Sequence, residues 1–445
     1  MRASELAARA AGAASRLTGR GGTSLPGKLL LRMEPDAIER LSRPLTSAIL
    51  SATNGKTTTA AMTARILERG GHTLVHNRAG ANMAGGVATA LLHGQGDTGL
   101  FEVDEFWLPQ VLPQVRPRAL LLGNLFRDQL DRYGELETIA ERWSLALQAT
   151  PVERLVLNAD DPVVADLGRD RSPLYFGVED QGMAMAHMQH AADAKHCRRC
   201  GAAYVYDAIF MGHLGHYHCP NCDARRPQAQ VTAHHITLRG THSARFELRT
   251  PDGVADVDLP LPGLYNVYNA LGAAALALAL GSALDDVVAG LQEVSPAFGR
   301  AETVRLGGRD LSILLVKNPA GANEVLRTLT LEPGEHDVFA VLNDNVADGR
   351  DVSWVWDADF EVIADRVRRV TCSGTRAAEM AVRMKYAGVP RERIVVRDDL
   401  AAGLDAAIGD GSGPLYALPT YTAMLALRDI VADRGFVRPY WERAA

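Results

Sequence analysis

The stretch Ile49-Leu50-Ser51-Ala52-Thr53-Asn54-Gly55-Lys56-Thr57-Thr58-Thr59 decides the fold. An apolar run, "TSAILS" (46–51), enters a short polar segment and leaves as the helical pattern "AAMTARILERGG". Strand, loop and helix in that order are the setting of a phosphate-binding loop. The common form G-x-x-x-x-G-K-[ST] asks for glycine at position 50, where this chain has Leu50. The physics does not need that glycine. It needs backbone N–H groups converging at a helix N-terminus, where the helix dipole favours an anion. Gly55 lets the chain approach the phosphates, and Lys56 reaches the β- and γ-phosphates. The Thr57 hydroxyl suits Mg²⁺. Thr53, Asn54 and Thr58 belong to the same nucleotide-binding segment.

Such a loop needs acidic help with the metal. "GLFEVDEF" (99–106) offers Glu102, Asp104 and Glu105 at or past the end of an apolar strand. That edge is where parallel sheets bind ligands. Glu102 is the expected partner of Thr57 on magnesium, whereas Asp104 and Glu105 also read as solvated loop charges.

The 445 residues suit two or three domains. A net charge of -6 argues against a general nucleic-acid binder. Residues 1–44 carry net +4 and are Ala-rich. They read as a solvated helical segment, or as a transient contact with an anionic membrane surface. Charges break every apolar run near the N-terminus, so no secretory signal is evident. The longest apolar run, 270–281, has 12 residues and suits a buried helix, not a bilayer span.

From 45 to 299, strands alternate with helices and then give way to antiparallel β around 230–262, which indicates an α/β domain. A second α/β pattern fills 300–445. Expected strands include Thr46–Ser51, Leu100–Val103, Ala119–Gly123 and Arg154–Asn158, and Leu311–Val316, Val338–Asn343, Arg369–Cys372, Ile394–Val396 and Pro414–Ala417 in the second half.

A small module interrupts the first domain at about 190–228. It holds Cys197-x-x-Cys200 and Cys219-x-x-Cys222. Two such turns offer four thiolates to one tetrahedral zinc and leave no open position for chemistry, so the zinc is structural. Free cysteines in this pattern fit a reducing cytoplasm. The nearby Lys195, Arg198, Arg199, Arg225 and Arg226 keep a nucleic-acid ribbon as an alternative. His196, His213, His216 and His218 read as surface groups or neighbours of the ligands.

Several segments resemble the Mur ligase family, the ATP-dependent peptide ligases of cell-wall synthesis. The family loop is T-G-T-N-G-K-T-T, which "SATNGKTT" matches except at Ser51 and Ala52. "NLFRDQLDRYG" (124–134), "LNADDP" (157–162), "GLYNVYNALGAAALA" (263–277) and "FGRAE" (298–302) follow in family order. The resemblance implies that Asn269 contacts adenine and that Arg300 lies near the phosphates. The family histidine that helps hold a second Mg²⁺ is replaced by Gln129. The family's carbamylated lysine has no counterpart, since no Lys occurs between Lys56 and Lys195. Only about 45 residues precede the core, where amino-acid-adding members hold a UDP moiety.

The C-terminal segments "KNPAGANEVL" (317–326), "LNDNVADGRDVSWVWDADFE" (342–361), "SGTRAAEMAVRMKYAGV" (373–389) and "LPTYTAMLALR" (418–428) are similar to the amidating branch of the family. That branch forms the synthetase subunit of lipid II isoglutaminyl synthases. The resemblance implies ATP-dependent amidation of the α-carboxyl of D-glutamate in the lipid II stem peptide. It places the enzyme in the cytoplasm, at the inner face of the membrane. It also implies Asp351 as the catalytic acid. Ammonia is generally made from glutamine by a cysteine nucleophile. Cys372 has no nucleophile-elbow glycine before it, because position 370 is Val. The resemblance therefore implies a glutamine amidotransferase partner, GatD. Two other readings stay open: a stand-alone amino-acid ligase, and a zinc-ribbon protein that uses ATP as a regulatory ligand.

Overall fold

The computed structural model describes residues 2–17, 24–77, 81–128, 136–190, 192–295, 300–409, 411 and 413–437. The first half supplies β1 (Thr46–Ser51), β2 (Leu74–His76), β3 (Thr98–Glu102), β4 (Ala119–Leu122), β5 (Arg154–Asn158) and β6 (Leu174–Val178). It continues with β7 (Val205–Met211), β8 (Leu214–His218), β9 (Val231–Arg239), β10 (Ser243–Thr250) and β11 (Gly253–Leu259). Nine of these form one sheet in the order β11-β10-β9-β6-β5-β4-β1-β3-β2. All neighbours from β2 to β9 are parallel, and β9, β10 and β11 are antiparallel.

Strands β3 and β4 are buried at every residue, and β1 at all but Thr46. A parallel sheet needs cover on both faces, and unbroken apolar runs are its sequence signature. One face is covered by the helix Leu264–Leu280, which packs against the helix Lys56–Arg69. Its Ala270, Ala273, Ala274 and Ala277 are fully buried. The other face carries the helices Leu108–Val115 and Leu136–Ala149, anchored by the fully buried Trp143.

The chain runs from β1 to the sheet edge and back to β3, then crosses to β4 on the other side of β1. The switch at β1 opens a crevice beyond the carboxyl ends of β1, β3 and β4.

The N-terminal helices Ala3–Leu17, Leu25–Met33 and Ala37–Ser42 form a docked layer instead of a solvated segment. Ala8, Leu30 and Leu92 share a buried cluster. Arg40 sits between Glu5 at 2.8 Å and Glu34 at 2.7 Å.

The second half builds β12 (Arg300–Leu306), β13 (Arg309–Leu314), β14 (His336–Val341), β15 (Val367–Ser373), β16 (Ile394–Val396) and β17 (Leu415–Pro419). Their order is β12-β13-β17-β14-β15-β16, parallel except for the β12–β13 hairpin. The expected strands are all present, shifted by up to two residues. The expectations lack β2, β6 and β12, and the hairpin β7–β8 inside the Cys-rich module.

One buried cation organises the segment that follows β14. Arg383 donates to the carbonyls of Val355 at 2.9 Å and Ala358 at 2.6 Å, and to Glu361 at 2.8 Å. Its side chain is 3% exposed. Removing it strands the two carbonyls, on the buried Val355 and Ala358, away from water. Arg383→Met is predicted to lower unfolding stability by about 3 kcal/mol, read from the urea midpoint. A midpoint unchanged from wild type would show that Arg383 does not hold this segment.

Candidate active site

The segment after β1 turns back through Gly55, whose φ of +86° suits glycine. A Cβ there would lie 1.9 Å from Asn269 Oδ1, so close approach as well as conformation excludes a side chain. Leu50 is fully buried in β1, opposite Glu102. The loop thus begins at Ala52. A Cβ at Gly123 would lie 3.0 Å from that of Ala52, so the glycine at the end of β4 leaves room for the departure from T-G-T-N.

Two neighbours hold the loop. Thr53 N–H donates to Asn124 O at 2.9 Å, and Asn54 N–H to Asn124 Oδ1 at 2.9 Å. The Thr53 hydroxyl accepts from Phe126 N–H at 3.1 Å. These contacts come from the segment after β4, the other wall of the crevice.

The Lys56 ammonium is buried, with Glu105 at 2.8 Å and the carbonyls of Ala52 and Thr53 as further acceptors. Burial opposes its charge, but Glu105, Asp104 and Glu102 outweigh burial and hold its pKa above the usual lysine value. Burial likewise raises Glu105, and Lys56 and Lys317 more than reverse this, leaving the carboxyl ionised below its ordinary range. Asp104 is pushed up by burial and by the adjacent Glu105 charge. Asp104 and Glu105 are therefore buried site groups and not solvated loop charges.

The Thr57 hydroxyl donates to Glu102 Oε1 at 3.1 Å. Glu102 is 2% exposed and its Oε2 has no hydrogen-bond partner. An orphaned carboxylate oxygen beside a loop hydroxyl is a fitting donor set for a hard divalent cation. Thr58 lines the same cleft.

The second half closes this cleft. Asn54 and Asn318 exchange side-chain amide bonds at 3.2 and 3.0 Å. Asn318 also caps the helix Pro319–Thr330, accepting from Gly321 N–H at 2.9 Å. Lys317 pairs with Asp128 and donates to Thr53 O at 3.3 Å. The cleft between the halves has a volume of about 360 Å³ and is lined on its C-terminal side by Lys317, Gly321, Glu324, Ala347 and Tyr421.

Asn269 lies on the first half's side, accepting from the Thr59 hydroxyl at 3.3 Å and donating to Asn266 at 3.0 Å. Arg300 is the first residue of β12. Gln129 lies outside the described residues.

Asp351 is exposed, on the loop that carries Ala347. Its carboxylate accepts from Ser353 N–H at 2.8 Å, and the Ser353 hydrogen bonds hold it below the usual carboxylate range. Asp351 is not among the cleft-lining residues. Asp348 is buried and accepts from Thr422 N–H at 2.7 Å. Burial raises Asp348, against hydrogen bonds from Thr422. Asn343 and Asn345 donate to the Thr422 hydroxyl at 3.0 and 2.8 Å, which fixes this loop to the helix Tyr421–Asp433.

The four cysteines converge, with all Sγ atoms within 4.8 Å of one another. The pairs 197–222 and 200–219 are 3.6 and 3.4 Å apart. Thiolates around a zinc stand about 3.8 Å apart, so the set fits that ion. Each C-x-x-C closes a matching turn: Cys197 N–H donates to Ala202 O and Cys219 N–H to Ala224 O, both at 2.7 Å. Arg199 is tied to Asp166 at 2.8 Å, and Arg226 to Asp160 at 2.6 Å. Two of the five nearby cations are thus structural ties. His213 is fully buried against Phe126, its ring 4.7 Å away, and so is not a surface group.

Sequence reasoning missed the roles of Lys317, Asn318, Asn124 and Glu324. The signal for three of them was the segment 317–326, which was recognised without a role for any residue.

The model for the Mur ligase middle domain matches residues 51–224, and that for the MurT ligase C-terminal region matches 315–424. The MurT subunit of lipid II isoglutaminyl synthase from Streptococcus pneumoniae is 33% identical over 94% of this chain and 94% of its own length. The corresponding subunit from Staphylococcus aureus strain N315 is 33% identical over 92% and 93%. Among solved structures, a pseudomurein peptide ligase type C from Methanothermus fervidus superposes with a TM-score of 0.69 at 23% identity, covering 88% of this chain and 79% of its own. MurF from Acinetobacter baumannii gives 0.66 at 19% identity, covering 93% and 79%. These two likenesses are of fold. With its loop, cleft and C-terminal segments all matched over nearly its whole length, the chain belongs to the MurT branch of the Mur ligase family.

Proposed function

We propose that this protein is the ATP-dependent synthetase subunit that amidates the α-carboxyl of D-glutamate in the lipid II stem peptide. The observation that carries the reading is the cleft. It joins Lys56 and the orphaned Glu102 oxygen to a C-terminal wall that belongs to the MurT branch.

The substrate carboxylate attacks the γ-phosphorus of ATP, and ADP leaves. The acyl phosphate formed has a phosphate leaving group that the free carboxylate lacked. Ammonia adds to the carbonyl carbon, gives up a proton, and expels phosphate to leave the amide. Both steps gather negative oxygens, and Lys56 and the N–H groups at the start of the helix Lys56–Arg69 stabilise them. Thr57 and Glu102 would hold Mg²⁺, which screens the phosphate charges when bound. Asn269 and Arg300 serve the nucleotide at the base and phosphate ends. Asp351, on the loop that brings Ala347 to the cleft, is by resemblance the residue that positions or deprotonates the incoming ammonia or ammonium.

The described residues offer no glutaminase nucleophile. Cys372 is fully buried and burial alone raises its thiol to about 12. A glutamine amidotransferase subunit, GatD in this branch, therefore supplies ammonia. No described helix is long and apolar enough to cross a membrane. A cytoplasmic enzyme meeting its lipid-linked substrate at the inner membrane face fits that observation. The four cysteines hold one structural Zn²⁺.

The reading is tested by supplying the chain, its amidotransferase partner, glutamine, ATP and lipid II, and following the stem peptide by mass spectrometry. The expected product carries one amide in place of the D-glutamate α-carboxyl. ATP turnover that needs a free amino acid, with lipid II unchanged, would contradict the reading. Asp351→Asn is expected to lower amidation by about 10²-fold or more while the two subunits still co-elute. Retained amidation would remove Asp351 from the mechanism. Metal analysis is expected to find one zinc per chain, and Cys219→Ser to lower the melting temperature as well as activity. Zinc-free protein of unchanged melting temperature would show that the cysteines hold no structural metal.

A further inference from the structure

One ionisable group in the cleft has no part in the chemistry above. Glu324, on the helix Pro319–Thr330, is 2% exposed and lines the cleft. Its Oε1 is buried without a hydrogen-bond partner. Arg327 is three residues away, but its guanidinium is committed to the carbonyls of Phe210 at 2.6 Å and Met183 at 2.8 Å. Burial outweighs the pull of Arg327 and lifts the Glu324 carboxyl to about 7. A buried carboxyl oxygen left unpaired is costly, and a ligand donor that completes it removes that cost.

The packing shows which part of a ligand it meets. The helix 319–330 runs beside the start of the helix Leu264–Leu280. At one end, a Cβ on Gly321 would lie 4.0 Å from the Asn54 amide nitrogen. At the other, a Cβ on Gly263 would lie 2.9 Å from the Thr328 hydroxyl. Glu324 is about one helical turn from each, on the same face. It acts electrostatically on the buried phenols of Tyr265 and Tyr268. Asn266 and Asn269 belong to this same turn, and Asn269 touches the phosphate loop at Gly55. With the phosphates at Lys56, and Asn269 at adenine as the family resemblance implies, the base lies toward Tyr265, Leu261, Met211 and Glu324, which line the same cleft.

We propose that Glu324 is a specificity-determining residue for the nucleobase: its carboxylate accepts a hydrogen bond from the exocyclic amine of adenine and disfavours guanine. The proposal rests on the nucleotide reading under Proposed function. Adenine offers an N–H donor where guanine has a carbonyl oxygen. The donor fills the vacancy on Oε1, whereas the carbonyl would set oxygen against oxygen. A base with neither group leaves the carboxyl unpaired. Sites built around a specific hydrogen bond reject analogues lacking it far better than apolar pockets do.

The test measures dissociation constants by calorimetry on the full chain with Mg²⁺. The probes are ATP, GTP and purine riboside triphosphate, which is ATP without the exocyclic amine. Wild type is expected to bind the amine-free analogue at least about tenfold more weakly than ATP. In Glu324→Leu that ratio is expected to shrink to about twofold or less, and in Glu324→Gln, whose amide can donate to guanine, the ATP-over-GTP preference is expected to fall by about tenfold. Wild-type binding of ATP and the amine-free analogue within about twofold of each other would overturn the proposal without recourse to any variant. So would equal discrimination in wild type and Glu324→Leu. If wild type binds none of the three, the nucleotide reading itself falls with the proposal. If it binds ATP well and ignores the amine, only the role of Glu324 falls.

Discussion

The burial of one ammonium group governs this architecture. Lys56 sits in a low-dielectric crevice where an uncompensated charge is untenable. Glu105, Asp104 and Glu102 answer it from the end of β3. Two adjacent strands must therefore deliver their carboxyl ends to one point, and the topological switch at β1 provides that meeting. An incoming triphosphate would take over the role these carboxylates play in its absence. The site is charged and poised because its cation is already desolvated, not because it waits in solvent.

The second constraint is closure. The Asn54–Asn318 amide pair and the Lys317–Asp128 ion pair join the halves at the rim of the phosphate loop. Through Asn318, the same contact caps the helix that carries Glu324. Loop geometry, domain closure and the wall of the cleft are thus linked by a single side chain. The Cys-rich module is fixed to the central sheet through Arg199 and Arg226, and its strand β7 meets the helix that carries Glu324 through Arg327.

Much of this was legible from sequence where the physics is local. Apolar runs fix strands, so β1 and β5 fall where the pattern puts them, and the loop was identified despite Leu50. Leu50 proves to be strand core, and Gly123 explains how Ala52 is tolerated. The C-x-x-C spacing forecast the convergence of four thiols. The rest depends on contacts between distant parts of the chain. Asn54 and Asn318 are 264 residues apart, and no periodicity links them. Asp104 and Glu105 read as loop charges because burial comes from tertiary packing, which a short window of sequence does not contain. The strands β2 and β16 have three residues each, but β16 is the unbroken apolar run Ile-Val-Val, whereas β2 is Leu-Val-His and offers only two apolar residues for a pattern to find. Asp351 was singled out by resemblance, and in the structure its carboxylate accepts a local hydrogen bond from Ser353 N–H.

The central claim is that the cleft activates a carboxylate by phosphorylating it. Lipid II carrying ¹⁸O in the α-carboxyl of D-glutamate tests this directly, with the partner subunit, glutamine and ATP present. The account predicts that one ¹⁸O appears in each inorganic phosphate released. Phosphate that takes its new oxygen from water, with the label left in the peptide or lost elsewhere, would contradict it.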